Sequence, residues 1–488
     1  MRIKVKRTFV SLVLVGVLTF VFYLHSQVKE PQNERMIADY AHGADDKLKT
    51  TTKNMPRLGL LHKPKASPAS VGEAPPELHA HAGSECPKLM LPVNVEDKQS
   101  FQMVNAKTDL YVFSAFYDDV GQPAILRIIG LNVRYGSGSV LCQAWFEGRP
   151  NSLSVITGSV QRLPEDHGLR YGAVYIKCPL RDGQKPYAVS VVKDSCQEPI
   201  NLLKVIYSER SANFTVCVTP FNFRYSRAYE LVEWIEMNRM LGADYFTFYN
   251  HSTGVNVDSV LKLYVSQGLV NVVQWHLPMA VDHWPPGGKS EVHYFAQLAS
   301  LNDCVYRNLH RSKYLVYEDL DEVIMPRQAR NWTAFLSTRL KENSRFGVFI
   351  IRCNFFRKDW PLLKTDFKGK DIAEKFRSIF LFTTTKEQNV FGYNQRSKFI
   401  TDPRKVEIVG IHNIWVARSN TLIDRVPDSQ GLLHHYRNWE KPNEKIPRTT
   451  DMYMHTFADT LISRLELIWS QLGNVRLDIP LSEYPSPV

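Results

Sequence analysis

The 488-residue sequence lacks several patterns, and each absence narrows the class of protein. Its seven cysteines contain no Cys-x-x-Cys pair, which argues against a structural zinc site. No basic tract with interleaved aromatic residues occurs. The net charge of +11 therefore gives no reason to expect nucleic-acid binding. No small-x-small cleavage pattern follows the apolar run near the N-terminus, which argues against a cleaved signal peptide.

The first 92 residues predict a cellular location rather than a folded domain. A basic segment at 1–7 precedes an uncharged apolar run at 8–24, which predicts a cytosolic tail and a transmembrane anchor. A cleaved signal peptide is the alternative interpretation. Residues 25–92 are polar and contain Pro, Ala, Gly and Lys without periodicity, which predicts a flexible, disordered stem. This layout is typical of a single-pass type II protein of the Golgi membrane with a lumenal body.

The cysteines and the glycosylation sequons fit a lumenal body. All seven cysteines follow the predicted anchor, so disulfides are plausible, although the pairing cannot be read from the sequence. Cys86 in the stem could join two chains into a homodimer. Asn213, Asn250 and Asn331 each begin an Asn-x-Ser/Thr triplet.

The body shows two successive patterns. From 93 to 210, short strand-like segments alternate with turns, which predicts a β-rich accessory domain of sandwich-like type. From 211 to 488, strand and helix patterns alternate, which predicts a doubly wound α/β catalytic domain that binds a nucleotide. Loops at 219–225 and 250–254 would meet the nucleotide. The Gly/Pro loop at 284–289 is either a mobile lid or a plain surface loop.

Four acids follow the apolar strand that begins at Lys313. Glu318, Asp319, Asp321 and Glu322 stand in five positions, which is costly at the end of a buried strand unless a cation neutralises them. A charged surface turn is the simpler interpretation of an isolated Asp-x-Asp. The preceding βα units favour a metal site for a nucleotide diphosphate.

Three stretches give the sequence a resemblance to glycosyltransferase family 92. They are Val216–Pro220 with the following LVEWIEMNRMLGADYFTFYN, the helix with Asn302-Asp303-Cys304 and Arg307 that leads to EDLDEVIMP, and the downstream segments RSKFI, VGIHN and LHHYR. The resemblance implies a GT-A fold, a UDP-sugar donor and inversion at the anomeric carbon. It further implies transfer of galactose from UDP-galactose in β1,4 linkage to a terminal galactose or fucose. Within that family, the sequence resembles the type of bird enzyme that forms Galβ1-4Gal on N-glycans.

The resemblance and the residue chemistry together give candidate site residues. For Mn²⁺ (or Mg²⁺) we expect Asp319 and Asp321, with His434 or His435 as a further ligand and His412 as runner-up. Arg437 or Lys398 could hold the diphosphate, although a structural role is equally plausible for each. The residues predicted to bind the nucleotide sugar are Thr219, Arg224, Tyr249, Asn250, Asp319, Lys398 and Arg437.

Inversion requires a general base, usually Asp or Glu. Asp359 follows the strand predicted at 347–352, where acceptor loops belong, and Trp360 beside it could stack on a sugar. Family members often show a different, glycine-containing pattern after this strand, which leaves the base open. Glu322 is the other candidate for this catalytic role.

These patterns lead to one preferred function and two alternatives. The preferred function is a metal-dependent galactosyltransferase that acts on glycoprotein N-glycans. The first alternative is a catalytically inactive lumenal protein of the same fold that binds UDP-sugar or glycan. The second is a glycoside hydrolase, which needs two facing carboxylates and no nucleotide site.

Overall fold

Eight strands between Gln102 and Ile206 form a sheet that closes on itself. The computed structural model describes residues 89, 92–136, 138–147, 153–181, 183–438 and 445–484. The strands are β1 (Gln102–Met103), β2 (Tyr111–Asp118), β3 (Ile125–Val133), β4 (Val140–Phe146), β5 (Leu153–Arg162), β6 (Tyr171–Pro179), β7 (Pro186–Val192) and β8 (Leu203–Ile206). Their order is β1-β2-β3-β6-β5-β4-β7-β8, and β8 also pairs in parallel with β2. The predicted sandwich-like arrangement is therefore a ring of strands instead, because the last strand returns to β2.

The ring has two buried surfaces. Its interior is filled by apolar side chains such as Ile128, Ile176 and Val191. The outer face of β2, β3 and β6 contributes Phe113 and Tyr175 to a second core, which also contains residues of the α/β region. Because successive side chains of a strand point to opposite faces, strands buried on both sides become continuously apolar. This explains why the sequence pattern of β2 shows no clear alternation.

The α/β region is built on a seven-stranded sheet. Its strands are β9 (Ala212–Cys217), β10 (Tyr245–Asn250), β11 (Val270–Gln274), β12 (Ser312–Tyr317), β14 (Phe346–Ile351), β17 (Lys398–Thr401) and β20 (Leu422–Arg425). The order is β11-β10-β9-β12-β17-β14-β20, and the pairs among β9 to β12 are parallel. The chain runs outward from β9 to β11 and then returns to the other side of β9 with β12. The carboxyl ends of β9 and β12 therefore flank a switch point, where α/β sheets bind ligands.

A five-stranded sheet carries residues from distant parts of the chain to this edge. Its strands, in spatial order, are β13 (Glu322–Pro326), β21 (Gly431–Arg437), β15 (Cys353–Arg357), β16 (Thr385–Glu387) and β22 (Arg448–Thr450). A separate hairpin consists of β18 (Val406–Val409) and β19 (Ile414–Ala417). The register places His435 of β21 opposite Glu322 of β13 and Phe355 of β15.

Helices cover the sheets, and their ends follow local sequence signals. The α-helices are α1 (Ala228–Leu241), α2 (Val255–Ser266), α3 (Gln297–Arg307), α4 (Trp332–Glu342), α5 (Lys370–Lys375), α6 (Ile379–Phe382) and α7 (Ala458–Leu472). Short 3₁₀ helices occupy His293–Ala296, Pro403–Lys405, Tyr453–Phe457 and Leu481–Glu483. The apolar spacing of the sequence predicts a helix over 228–241, and α1 has these bounds. It ends at Gly242, whose φ of 118° is readily adopted only by glycine.

Two helices begin later than their sequence patterns predict. The pattern predicts a helix over 291–309, but α3 starts at Gln297, because Tyr294, Phe295 and Ala296 all have positive φ. The pattern also predicts a helix over 451–472, but the chain is α-helical only from Ala458, after a 3₁₀ turn at Tyr453–Phe457.

Disulfides join strands and helices within the described part of the chain. Cys142 of β4 is bonded to Cys178 of β6, and Cys217 at the end of β9 is bonded to Cys304 of α3. The second bond fixes α3 against the strand that leads to the switch point. Cys353 of β15 is a buried free thiol.

Several predictions concern the N-terminal part. The predicted tail (1–7), anchor (8–24) and nearly all of the predicted stem (25–92), including Cys86, lie outside the described residues. Among the residues described, no helix has the length and apolar character needed to cross a membrane. Homodimerisation through the anchor or Cys86 stays a prediction, as does the domain division between residues 210 and 211.

Candidate active site

The loop between β12 and β13, residues 318–322, is called the acid loop below. Glu318 and Glu322 are almost fully buried, whereas the side chains of Asp319 and Asp321 are about one-fifth exposed, at 21% and 20%. Burial raises the pKa of Glu318 to about 8, and it raises the pKa of Glu322 well above its ordinary value. Of the four acids, therefore, only the two aspartates can meet a ligand from solvent.

Asp319 lies in a polar cluster with two other residues that were predicted to bind the nucleotide sugar. Thr219 Oγ1 donates a hydrogen bond to Asp319 Oδ1 at 3.0 Å, and Lys398 Nζ lies 2.7 Å from Asp319 Oδ2. Lys398 Nζ is also 3.4 Å from Glu322 Oε2. Both oxygens of Asp319 are thus engaged by this chain. The ammonium group of Lys398 neutralises the acid loop from within the protein.

Asp321 faces His435, which comes from a strand more than a hundred positions later. His435 Nε2 lies 3.2 Å from Asp321 Oδ2, and His435 Nδ1 lies 3.2 Å from Glu322 Oε1. The backbone N–H of Tyr436 donates to Asp321 O at 2.7 Å, which fixes the loop against β21. The imidazole is therefore held between two carboxylates, one partly exposed and one buried.

The structure does not bring His434 to the acid loop. Neighbouring residues of a strand point to opposite faces, and His434 stacks on Phe356 with ring centroids 4.2 Å apart. His434 Nδ1 lies 3.2 Å from Tyr436 Oη, and burial lowers its pKa well below the usual range. The predicted histidine pair therefore supplies one residue to the site. His412, the runner-up, lies with Nδ1 3.3 Å from Ser397 O.

Both residues predicted as general bases have partners within this chain. Arg357 binds Asp359 through two contacts, from Nε to Oδ1 at 2.8 Å and from Nη2 to Oδ2 at 2.7 Å. The guanidinium of Arg357 also lies 4.9 Å from the Trp360 ring. Glu322 is 1% exposed and positions His435 from behind. Its burial, which the sequence pattern does not reveal, separates it from an acceptor in solvent.

Of the other residues predicted to bind the nucleotide, Tyr249 is placed differently from the rest. Tyr249 is fully buried, and its hydroxyl donates to Asp303 Oδ1 at 2.7 Å, so it belongs to the core beside α3. Asn250 lies at the rim, where its Nδ2 donates to Thr253 Oγ1 at 2.9 Å. The backbone N–H of Arg224 donates to Ser252 Oγ at 3.0 Å, which joins the two predicted nucleotide loops.

Several residues at this rim, beside Asn250, have a strained backbone. Phe223 and Arg224 have φ of 49° and 46°, and Phe295 has φ of 55°. A left-handed conformation costs a residue other than glycine about 1–2 kcal/mol, and such strain often marks functional sites. The rings of Phe223 and Phe295 meet edge to face at 5.3 Å, and His251 lies 5.0 Å from Phe295. The sequence gives no signal for this feature, because none of these residues is glycine or asparagine.

Cations surround Phe355 beside His435. The guanidinium groups of Arg437 and Arg396 lie 5.2 Å and 5.4 Å from the Phe355 ring, which itself meets the His435 ring at 5.0 Å. Arg437 was expected in the site, whereas Arg396 was not assigned a role. Its signal in the sequence is its place two residues before Lys398 in the RSKFI segment. Together these cations can attract a polyanion such as a diphosphate.

A second ionic cluster, also missed from the sequence, lies at the start of α1. Arg227 Nε is 3.1 Å from Glu230 Oε2, and Lys358 Nζ is 3.3 Å from Glu230 Oε1. Burial opposes ionisation of Glu230, but Arg227 and Lys358 keep its pKa below the ordinary value, against a small opposing effect of the Asp321 charge. The cluster therefore lies within electrostatic reach of the acid loop.

The residues fit a metal that takes most of its ligands from a substrate. Within the described part of the chain, no group of three or more His, Cys, Asp or Glu side chains is arranged to hold a metal ion. Mg²⁺ and similar cations at nucleotide sites commonly use one or two protein carboxylates plus substrate phosphates. Asp321 supplies one carboxylate and His435 supplies one imidazole. Asp319 makes one contact through each oxygen, with Thr219 and Lys398, so its role as a further ligand stays a prediction.

Comparison with known proteins gives one family match. The model of Glycosyltransferase family 92 matches residues 212–466, which is more than half of the chain. The β-1,4-galactosyltransferase galt-1 of Caenorhabditis elegans is 24% identical over 182 residues. That alignment covers 34% of this chain and 41% of the worm protein, so the chain matches less than half of that relative's length.

Solved structures show only distant similarity. S. aureus TarS 1–349 in complex with UDP-GlcNAc is 10% identical, with 55% of this chain and 68% of that chain covered and a TM-score of 0.27. GalNAc-T7 with UDP, GalNAc and Mn²⁺ is 9% identical, with 54% and 48% covered and a TM-score of 0.25. With TM-scores this low, neither structure supports a conclusion about this chain.

Proposed function

The chain belongs to glycosyltransferase family 92, and on that premise we propose that it transfers galactose from UDP-galactose in β1,4 linkage. The proposed acceptor is a terminal galactose or fucose of a glycoprotein N-glycan. The worm relative named as a β-1,4-galactosyltransferase supports the choice of sugar and linkage.

The contact between Asp321 and His435 carries the proposal. It lies at the carboxyl edge of the parallel strands, with Glu322 behind His435 and cations beside it. A carboxylate behind a metal-binding histidine is a common way to orient the ring. Asp321 and His435 would hold Mn²⁺ (or Mg²⁺), which when bound supplies positive charge for the departing diphosphate.

Three cations of this chain would attract the diphosphate: partly exposed Arg396 would contact it, and buried Lys398 and Arg437 would act through their charge. Arg396 and Arg437 flank Phe355 beside His435, and Lys398 lies on Asp319. Charge that develops on the leaving group is stabilised most effectively by groups that are already in place. Thr219 and Lys398 keep Asp319 in a fixed position, from which its carboxylate would orient the nucleotide.

Transfer by the full chain, purified with its disulfides intact, tests this function. We would offer UDP-galactose and other UDP-sugars with galactose-ended N-glycans, with and without Mn²⁺, and measure product by mass spectrometry and linkage analysis. We expect a hexose gain from UDP-galactose alone, lost with a chelator. Transfer of another sugar, or at full rate after chelation, would contradict the proposal.

Adjacent histidines provide a matched pair of variants. We expect His435→Ala to lower kcat/KM by at least the 10–100-fold that loss of an outer-shell partner typically costs. His434→Ala should retain transfer in whatever fraction stays folded, because His434 stacks on Phe356 on the other face. Thermal unfolding of both variants provides the folding control. Equal loss of activity in two folded variants would contradict the assignment of His435.

A second candidate, a catalytically inactive binding protein, is favoured by one observation. Of the two carboxylates predicted as general base, Asp359 is paired with Arg357 and Glu322 is buried. Calorimetry with UDP and Mn²⁺ separates the candidates. Binding of UDP without transfer to any offered acceptor would favour this alternative. Binding with transfer would exclude it.

We also propose a Golgi location, with the body in the lumen. The bonded pairs Cys142–Cys178 and Cys217–Cys304 support a compartment of the secretory pathway, where disulfides persist. Protease protection of the body in intact vesicles, with microscopy against Golgi markers, tests this location. Cleavage of the body without detergent would contradict it.

A further inference from the structure

Asn213, the second residue of β9, is an exposed residue in a mostly buried strand. Its neighbours Ala212 and Phe214 are 8% and 2% exposed. Successive side chains of a strand point to opposite faces, so the side chain of Asn213 points away from both neighbours. The backbone N–H of Asn213 donates to Asp244 Oδ2 at 2.7 Å, which holds this end of β9 in place. A bulky group on the side-chain nitrogen of Asn213 would therefore extend into solvent and displace no core residue.

The exposed end of β9 lies at the edge of the sheet opposite the acid loop. β9 and β12 are parallel, with Ala212 opposite Ser312 and Cys217 opposite Tyr317, the last residue before the acid loop. At about 3.3 Å per residue, Asn213 lies roughly 13 Å before Cys217 along β9. A bulky group at this end would therefore leave the candidate active site accessible.

The sequon at Asn250 lies within the candidate active site. Asn250 is partly buried, and its Nδ2 donates to Thr253 Oγ1 at 2.9 Å. Ser252, the third residue of this sequon, accepts a hydrogen bond through Oγ from the backbone N–H of Arg224 at 3.0 Å. These contacts join the two loops predicted to meet the nucleotide. A bulky group on Asn250 would therefore occupy the rim that the nucleotide needs.

The sequon at Asn331 differs from both, because its asparagine caps a helix. Asn331 Oδ1 accepts a hydrogen bond from the backbone N–H of Ala334 at 2.9 Å, at the start of α4. Asn331 is partly buried, and the next residue, Trp332, is fully buried. Asn213 is therefore the one exposed asparagine among the three sequons.

The third residue of the Asn213 sequon limits when a modification can occur. Thr215 is fully buried, and its hydroxyl forms a hydrogen bond with Ser312 Oγ of β12. Attachment of an N-glycan requires the Asn-x-Ser/Thr triplet, so the triplet must be reached before β9 pairs with β12. The fold therefore accommodates a glycan that was added to Asn213 earlier, but it closes off the triplet to later addition.

We propose that Asn213 carries an N-linked glycan and that Asn250 is unmodified in the folded protein. The inference rests on the proposed lumenal location, where a lipid-linked oligosaccharide diphosphate supplies the sugar. Nδ2 of Asn213 forms a bond to the anomeric carbon of the oligosaccharide, and the bond from that carbon to the diphosphate breaks. One proton leaves Nδ2, and the diphosphate departs on its lipid. The glycan then increases the solubility of the edge opposite the acid loop.

Site-specific labelling of the full chain, produced in secretory cells, tests both parts of the proposal. A peptide N-glycosidase converts each glycosylated asparagine to aspartate, which carries heavy oxygen when the reaction is performed in heavy-oxygen water. Asn213 and Asn250 lie in separate tryptic peptides, 211–224 and 240–262. We would label the folded fraction, isolated by size-exclusion chromatography, and expect heavy oxygen at Asn213 and none at Asn250. A sample without the glycosidase controls for spontaneous deamidation.

Two variants provide a mass comparison on the intact chain. Asn213→Gln should lower the mass by one glycan. Tyr135→Asn is the matched control, because it creates an Asn-Gly-Ser sequon at a residue that is 87% exposed, between β3 and β4. It should raise the mass by one glycan if the body lies in the lumen. Neither residue belongs to the candidate active site, so neither change should alter transfer.

The outcomes separate this proposal from those for location and transfer. Heavy oxygen at Asn213 supports the proposal whether or not sugar is transferred. A bare Asn213 together with a glycosylated new sequon in Tyr135→Asn would overturn the proposal and leave the lumenal location in place. No glycan at either position would overturn the proposal and the location together. A glycan at Asn250 in the folded fraction would overturn the second part of the proposal.

Discussion

Glu233 of α1 offers a quantitative test of the fold, because it is a buried acid held by neutral hydrogen-bond donors at the start of α6. It is 2% exposed and accepts hydrogen bonds from Ser378 Oγ and from the backbone N–H groups of Ile379, at 2.7 Å, and Phe380, at 3.3 Å. Burial raises its pKa to about 7 from 4.5, against the effect of these donors. The perturbation we propose is Glu233→Gln, which keeps the shape and removes the titration.

The sign of the effect follows from linkage. A carboxyl whose pKa is raised by folding stabilises the protein fully below pH 4.5, and this contribution is lost as the pH rises through 7. A shift of one pKa unit corresponds to about 1.4 kcal/mol, so the loss between pH 5 and pH 8 is about 2–3 kcal/mol. The glutamine variant lacks this loss. Its free energy of unfolding should therefore rise relative to wild type by that amount over the same range.

Urea unfolding of the full chain at several pH values, followed by tryptophan fluorescence, measures the difference. Titration of the acid loop contributes equally to the free energy of unfolding of wild type and Glu233→Gln. This contribution therefore cancels when one curve of stability against pH is subtracted from the other. Glu236→Gln, one turn later on α1, is a control at a residue paired with Arg464 at 2.9 Å. Parallel stability curves for wild type and Glu233→Gln between pH 5 and 8 would refute the reasoning.

Two further predictions concern buried ion pairs. Lys398→Met should raise the KM for the donor about tenfold or more and lower thermal stability, because the acid loop loses its internal cation. Lys405→Met, at an exposed position, should change neither the KM for the donor nor the thermal stability. Kinetics and thermal unfolding check this, and an unchanged donor KM would contradict it. Asp303→Asn should cost about 3–5 kcal/mol in urea unfolding, because it leaves buried Arg307 without the carboxylate 2.7 Å away. Asp366→Asn, at an exposed pair, should cost far less, and equal losses would contradict the prediction.

Local signals predicted the α/β elements well. The apolar spacing of α1 and the glycine at its end determine its bounds, and the strands that lead to the acid loop lie where the apolar runs predict them. The sequence also predicted that Asp319 and Asp321 lie at the end of a strand, because this position depends on neighbouring residues alone. These features require no knowledge of distant contacts.

Features that depend on pairing between distant segments were not predictable. The face of β21 that bears His435 is set by its register with β13, so the sequence could not choose between His434 and His435. The burial of Tyr249 depends on α3 and Asp303. Arg357 was not expected beside Asp359, because a bidentate pair two residues apart depends on the turn between them. The closure of the β2–β8 ring is likewise a non-local event.

The position of β21 between β13 and β15 has a consequence for biosynthesis. Asp321 leaves the ribosome early, whereas His435 is added more than a hundred residues later and must enter between two strands that are already present. Pairing between segments far apart in sequence is slow, because the closure entropy must be overcome first. We therefore expect the site to form late in folding. A chain that stalls before β21 has the acid loop but no partner for Asp321.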